Sequence, residues 1–148
     1  MDTIRLPLEF KEFLKLLTER RVEYLLVGGF AVSYYGYPRT TGDMDIWIDR
    51  TPINADKIVD ALIAFGIDGS TLRPEIFLAK NKIIRFGVPP LRIEIHTTIS
   101  GVEFADCFDH RHFGILDGIE IPLISLDALK INKRASGRAK DLDRKSVV

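Results

Sequence analysis

Two aspartates separated by one residue, Asp43 and Asp45, are the side chains of this sequence best placed to do chemistry. They open the segment 43–48, whose alternation of polar and apolar residues predicts a strand. Side chains at i and i+2 share one face of a strand, so the two carboxylates project together while Met44 and Ile46 project to the other face. Two ionised carboxylates this close repel each other. Mg²⁺ relieves that repulsion and leaves room for phosphate oxygens, so the pair favours a cation site. The alternative is a turn residue followed by a solvent-facing one.

A third acid, Glu94, lies on another segment with the same alternation. Arg92, Glu94 and His96 share one face of the predicted strand, and Ile93 and Ile95 share the other. If the two strands are neighbours, three carboxylates converge, as in two-metal phosphoryl-transfer sites. The alternative for Glu94 is an ion pair with Arg92 or with a neighbouring strand. His96 is expected to be a polar residue at the strand end, with a minor role at most.

Gly28 and Gly29 stand between a short apolar run, 24–27, and a predicted helix, 30–35, that is closed by Gly36. Glycine allows an anion to approach the backbone, and a helix start offers unpaired N–H groups. The pair is also compatible with a plain tight turn. Together with the aspartate pair, it favours a phosphate-binding turn.

The remaining periodicities predict the elements that position these residues. We expect a mixed β-sheet carrying helices, which is an α/β or α+β fold. The predicted elements are a helix opened by Pro7, a helix over 55–65 with Asn54 as N-cap and Gly66 as its stop, strands over 83–86 and 91–95, a hairpin around Asp117-Gly118, a helix over 126–135 capped by Ser125 and stopped by Gly137, and a further helix from Arg138.

The length of 148 residues fits one domain over 1–148, in which 125–148 forms a C-terminal helical segment. The net charge is +0, from 21 basic and 21 acidic residues, so the chain as a whole is not an electrostatic binder of nucleic acid. Basic residues are nevertheless in excess between Lys130 and Lys145, where they suit a polyanion such as a triphosphate or an RNA end.

The single cysteine, Cys107, rules out an intramolecular disulfide framework. Charged residues interrupt the first 25 positions, so no apolar signal region is present. No apolar run approaches the length that crosses a bilayer. We therefore expect a cytoplasmic protein.

Five segments resemble the DNA polymerase beta-like nucleotidyltransferase superfamily. The segments VGGFA (27–31) and DMDI (43–46) are similar to its signature of a glycine pair followed by Asp-x-Asp. The stretch GYPRTTGD (36–43) is similar to that of small bacterial members of the AbiEii-type and minimal nucleotidyltransferases. The segment 94–101 resembles the third-carboxylate strand with its following loop, and 133–142 resembles the closing basic segment.

The resemblance implies a nucleotidyltransferase fold and a role for each matching residue. Asp43 and Asp45 would bind metal, and Glu94 would complete the site and help to activate the acceptor hydroxyl. Many members carry Asp at the position of Glu94, so this chain departs from the pattern there. The implied nucleotide-binding residues are Gly28, Gly29, Arg39, Thr41, Arg138 and Lys140.

The implied function is a Mg²⁺- or Mn²⁺-dependent transfer of a nucleoside monophosphate from an NTP to a hydroxyl, with release of pyrophosphate. The acceptor would be a protein, a tRNA end or a small molecule, in a toxin–antitoxin or phage-defence setting. One alternative is a catalytically silent binding module, such as an antitoxin or a regulatory partner protein. Another is a metal-dependent phosphatase or nuclease, which Gly28-Gly29 disfavours because that pair suits a triphosphate.

Overall fold

The computed structural model describes residues 5–37, 42–88 and 91–136. Five residues singled out in the sequence lie outside the described residues: Arg39, Thr41, Gly137, Arg138 and Lys140. The helix predicted from Arg138 lies outside them as well. The predicted single domain over 1–148, with its segment 125–148, stays a prediction.

The described residues form α-helices, two short 3₁₀ helices and strands. The elements are α1 (Leu8–Glu19), β1 (Tyr24–Val27), α2 (Gly28–Tyr34), β2 (Asp43–Ile48), α3 (Pro52–Phe65), two short 3₁₀ helices (Gly69–Thr71 and Pro74–Phe77), β3 (Ile83–Val88), β4 (Leu91–His96), α4 (Phe104–Asp109), β5 (His112–Leu116), β6 (Ile119–Leu123) and α5 (Leu126–Ala135). No helix in these described ranges is both long and apolar enough to cross a membrane.

The strands form one six-stranded mixed sheet in the order β3-β4-β2-β1-β6-β5. Strand β2 runs parallel to β4 and antiparallel to β1, and β1 runs parallel to β6. The outer pairs β3–β4 and β5–β6 are antiparallel. The architecture confirms the prediction of a mixed α/β fold with helices carried on a sheet.

The apolar face of β2 and β4 anchors the strands that carry the acids. Met44 and Ile46 are fully buried, and Ile93 and Ile95 are nearly so. Phe13 of α1 packs edge-on against Phe65 of α3 and Phe86 of β3. Burying a side chain of this size contributes about 1.5–3 kcal/mol. Helices α1 and α3 therefore cover one face of the sheet, and the opposite face is left for the polar residues.

The start of α3 differs from the prediction. The helix begins at Pro52, and its N-cap is Thr51, whose hydroxyl accepts a hydrogen bond from the Asn54 N–H at 3.3 Å. Asn54 is not the cap because its side chain is buried and bonded elsewhere. Its Oδ1 accepts from the Glu23 N–H at 2.7 Å, and its Nδ2 donates to the carbonyls of Glu23 and Asp49. Asn54 thus ties α3 to the ends of β1 and β2.

The other turn signals behave as their residue types predict. Gly66 ends α3 in the left-handed conformation, with φ of 116°. Asp117 and Gly118 both have positive φ, as a tight hairpin requires. The Ser125 hydroxyl caps α5 by accepting from the Ala128 N–H. Helix α2 begins at Gly28, two residues before the predicted start, and the six-residue α4 has no counterpart in the prediction.

Candidate active site

The pairing of β2 with β4 brings the predicted carboxylates together. In this parallel pair Asp45 lies opposite Glu94, and Asp43 lies opposite Arg92. Residues directly opposite each other in a sheet project to the same face. The prediction that the two strands are neighbours, with all three carboxylates on one face, is therefore confirmed.

The tightest cluster on this face consists of Asp45, Glu94 and His96. One ligand atom from each lies within 4.8 Å of the other two. The Nε2 atom of His96 is 2.8 Å from Oδ1 of Asp45 and 3.7 Å from Oε1 of Glu94. The three side chains are between 12% and 18% exposed. Two carboxylates and an imidazole at this spacing form a donor set that suits a divalent cation.

His96 belongs to this cluster, whereas the sequence predicted only a polar residue at the strand end. Its spacing from Glu94 already placed it on the same face, and that was the available signal. The missing information was the register: His96 lies opposite Trp47, one pleat beyond the Asp45–Glu94 pair. The imidazole therefore reaches back to Asp45 instead of ending the strand in solvent.

Asp43 lies beside this cluster and is held by an arginine. The Arg92 guanidinium donates from Nε to Oδ1 of Asp43 at 3.3 Å and from Nη2 to Oδ2 at 3.2 Å. The alternative considered for Glu94 was an ion pair with Arg92 or with a neighbouring strand, and Glu94 does pair with Arg85 of the neighbouring strand β3. The Arg85 Nε donates to Oε2 of Glu94 at 2.6 Å. This hydrogen bond is the main reason why the pKa of Arg85 is raised, and the charge of Glu94 adds to it.

Position 28 requires glycine because of its backbone conformation and its contact with Asp45. Its φ is +70°, a conformation that side chains disfavour. A Cβ atom built on Gly28 would lie 2.2 Å from Oδ2 of Asp45. The main chain at the start of α2 thus touches the carboxylate directly, so an anion held beside Asp45 would also lie beside this backbone.

A cavity of about 510 Å³ joins these features. Its lining combines Gly28, Gly29 and the acids with residues of the loop after β4 and of the end of α5. Nδ2 of Asn132 donates to the Ser100 carbonyl at 2.9 Å and holds α5 to that loop. The volume is ordinary for a small-molecule site. Four groups of residues line it: Val27, Gly28 and Gly29; Asp43, Asp45, Glu94 and His96; Ile83 and Arg85; and Thr98, Ile99, Ser100, Asn132, Lys133 and Ser136.

The whole arrangement of strands and helices matches a solved structure. The chain is similar to the crystal structure of a putative nucleotidyltransferase from Thermotoga maritima, with a TM-score of 0.61. The protein has a nucleotidyltransferase fold. The match covers 88% of this chain and 84% of the other, at 18% sequence identity, so the likeness concerns the fold. No known protein family and no curated protein sequence matches the chain.

Proposed function

We propose that this protein transfers a nucleoside monophosphate from an NTP to a hydroxyl acceptor. The observation that carries the proposal is the cluster of Asp45, Glu94 and His96 on the wall of a cavity that also exposes the Gly28 main chain. In a nucleotidyltransferase fold, that cavity would bring a cation site and a phosphate-sized space together.

The donor set supports a divalent cation as the partner of the nucleotide. Asp45 and Glu94 supply the carboxylate oxygens that Mg²⁺ and Mn²⁺ take, and the His96 nitrogen favours Mn²⁺ over Mg²⁺. Asp43 is proposed as a further ligand once Arg92 releases it. A cation bound there would neutralise triphosphate charge and lower the pKa of the acceptor hydroxyl.

The chain's own residues would bind and orient the triphosphate. Gly28 and Gly29 present main chain at the cavity wall, next to Asp45. Lys133 also lines the cavity, where a cationic side chain suits phosphate oxygens. The remaining proposed nucleotide contacts are the residues outside the described ranges, namely Arg39, Thr41, Arg138 and Lys140.

The proposed reaction forms one bond and breaks one bond at phosphorus. The acceptor oxygen bonds to the α-phosphorus while the bond from that phosphorus to the bridging oxygen of the β-phosphate breaks. Pyrophosphate leaves with the electron pair of the broken bond. The hydroxyl proton passes to the carboxylate of Glu94 and from there to solvent. A positioned carboxylate of this kind contributes roughly 10²–10⁴-fold to such a step.

The class of acceptor and the cellular setting come from the sequence resemblance alone. We propose a protein side chain, a tRNA end or a small molecule as acceptor. We also propose an AbiEii-type or minimal nucleotidyltransferase relationship, with a role in a toxin–antitoxin or phage-defence pair.

A second function is favoured by a specific observation. Each carboxylate already has a partner inside the protein: Arg92 for Asp43, Arg85 for Glu94 and His96 for Asp45. Carboxylates that are already paired within the protein would suit a catalytically silent module that acts by contact with a partner.

Label transfer distinguishes the two functions. The purified protein would be incubated with each α-³²P-labelled NTP and Mg²⁺ or Mn²⁺, with and without cell lysate. A transferase should give a metal-dependent labelled acceptor and free pyrophosphate, and Asp45→Asn should abolish both. Absence of label with every nucleotide and both metals would favour the silent module.

A further inference from the structure

Arg85 forms an ion pair with Glu94, one of the carboxylates that the cation would need. It stands on the edge strand β3, directly opposite Glu94 of β4 in the antiparallel register. Its Nε lies 2.6 Å from Oε2 of Glu94. The Glu94 side chain is 12% exposed, whereas the Arg85 side chain is 55% exposed. The arginine is therefore the solvent-facing member of the pair, and Glu94 is the more buried one.

All three carboxylates of the site act electrostatically on the Arg85 guanidinium. Besides Glu94, the negative charges of Asp43 and Asp45 also raise the pKa of its guanidinium. Arg85 lines the same cavity as those carboxylates. A divalent cation between Asp45 and Glu94 would lie in the same negative potential, so the cation and the guanidinium compete for it.

Competition for Glu94 does not remove the arginine from the cavity. The side chain is long and its head is exposed, so a released guanidinium remains within the cavity opening. Its planar set of N–H donors matches phosphate oxygens as well as it matches a carboxylate. A triphosphate brought in by the cation would supply the new partner.

We propose that Arg85 is a displaceable counter-ion, which pairs with Glu94 before the cation binds and with the triphosphate afterwards. That the second partner of Arg85 is a triphosphate rests on the proposed nucleotidyl transfer. Arg85 then weakens cation binding in the absence of nucleotide and strengthens binding of the nucleotide in its presence. Cation and nucleotide binding become coupled, and the coupling is reciprocal.

The test compares Mn²⁺ binding with nucleotide binding in one variant. Isothermal titration of Mn²⁺ alone should show tighter binding to Arg85→Ala than to wild type, by about two- to fivefold, since an exposed ion pair is worth that much. Binding of a non-hydrolysable ATP analogue at saturating Mn²⁺ should weaken by about tenfold or more in the same variant. Arg73→Ala, an exposed arginine outside the cavity lining, should change neither value.

The opposite signs of the two effects make the exchange falsifiable. Unchanged or weaker Mn²⁺ binding to a folded Arg85→Ala would show a structural ion pair and overturn the proposal. Tighter Mn²⁺ binding with unchanged nucleotide affinity would overturn the transfer of Arg85 to the phosphates. Failure of the proposed transferase function has a separate signature, because label transfer would then be absent in the wild type whatever Arg85 does to Mn²⁺ affinity.

Discussion

The main chain at Gly28 lies against the carboxylate of Asp45 in the candidate site. The positive φ of Gly28 and the 2.2 Å approach of a built Cβ to Oδ2 of Asp45 act together. A side chain at this position must either strain the backbone or push the carboxylate away. The glycine is therefore a requirement of the site as well as of the turn.

Gly28→Ala should disturb stability and cation binding at once. We expect a loss of about 1–3 kcal/mol in the free energy of unfolding, from left-handed backbone strain and the clash, together with loss of Mn²⁺ binding. Denaturant unfolding and isothermal titration measure the two effects.

Gly66→Ala is the matched control, because Gly66 has φ of +116° and nothing within 4 Å of a built Cβ. It should lose about 1–2 kcal/mol of stability and keep Mn²⁺ binding. Normal Mn²⁺ binding in Gly28→Ala would show that the contact does not position Asp45.

Asn54 is a buried amide, 3% exposed, that bonds three main-chain groups of two segments, at Glu23 and Asp49. Asn54→Ala removes the amide from the Glu23 N–H and from the carbonyls of Glu23 and Asp49, which should cost about 2–4 kcal/mol of stability. The Glu23 carbonyl keeps a second partner, the Asp49 N–H at 3.3 Å. Thr51→Ala removes only the helix cap and should cost about 1 kcal/mol. Urea denaturation of both variants checks the order. Equal losses in the two would mean that the amide adds nothing beyond capping.

Helix α5 contributes Asn132 and Lys133 to the lining of the cavity that holds the acids. The loop after β4 is packed closely against it, since a Cβ on Gly101 would lie 2.4 Å from Cβ of Ala135. The helix also ends with basic residues in its last turn, Lys133 and Arg134. Lys133 lines the cavity, whereas Arg134 is exposed and is not part of the lining.

These two neighbours on α5 give a matched pair of variants. Lys133→Ala should weaken NTP binding by about 10- to 100-fold if the amine contacts phosphate, since a charge-assisted hydrogen bond contributes about 1.5–3 kcal/mol. Arg134→Ala should leave NTP affinity unchanged. Fluorescent-nucleotide titration in the presence of Mn²⁺ measures both. Equal affinities in the two variants would place the triphosphate away from α5.

The sequence predicted which face of its own strand each acid occupies. It did not predict which residues from distant segments lie beside those acids. Alternation in two strands was enough to place Asp45 and Glu94 on polar faces, and glycine and serine signals marked the ends of α3 and α5. The identity of the third cluster member depended on the β2–β4 register, which no local pattern encodes. Arg85 and Lys133 entered the cavity through strand pairing and helix packing, so their positions were equally hidden. Helix α4 was missed because six residues are too few for a helical period to emerge.

At the level of the whole molecule, one face of the sheet is apolar and covered by helices, and the other carries the residues of the candidate site. Helices α1 and α3 cover the face of Met44 and Ile93, and the cavity opens on the face of Asp45 and Glu94. Neutral overall charge means that attraction for a triphosphate must arise within the cavity, not from the net charge of the chain. We therefore propose that Asp45, Glu94 and His96 bind a divalent cation that brings an NTP into this cavity.

Thermal unfolding with and without ligands tests that claim most directly. Mn²⁺ and ATP together should raise the melting temperature of the wild type, because a ligand that binds only the folded state stabilises it, by about 2.7 kcal/mol at 100 times the dissociation constant. Asp45→Asn should melt near the wild-type temperature without ligand and lose the metal-dependent increase. Asp60→Asn, which removes an exposed carboxylate on α3, should keep the full increase. An equal metal-dependent increase in wild type and Asp45→Asn would contradict the assignment of the site.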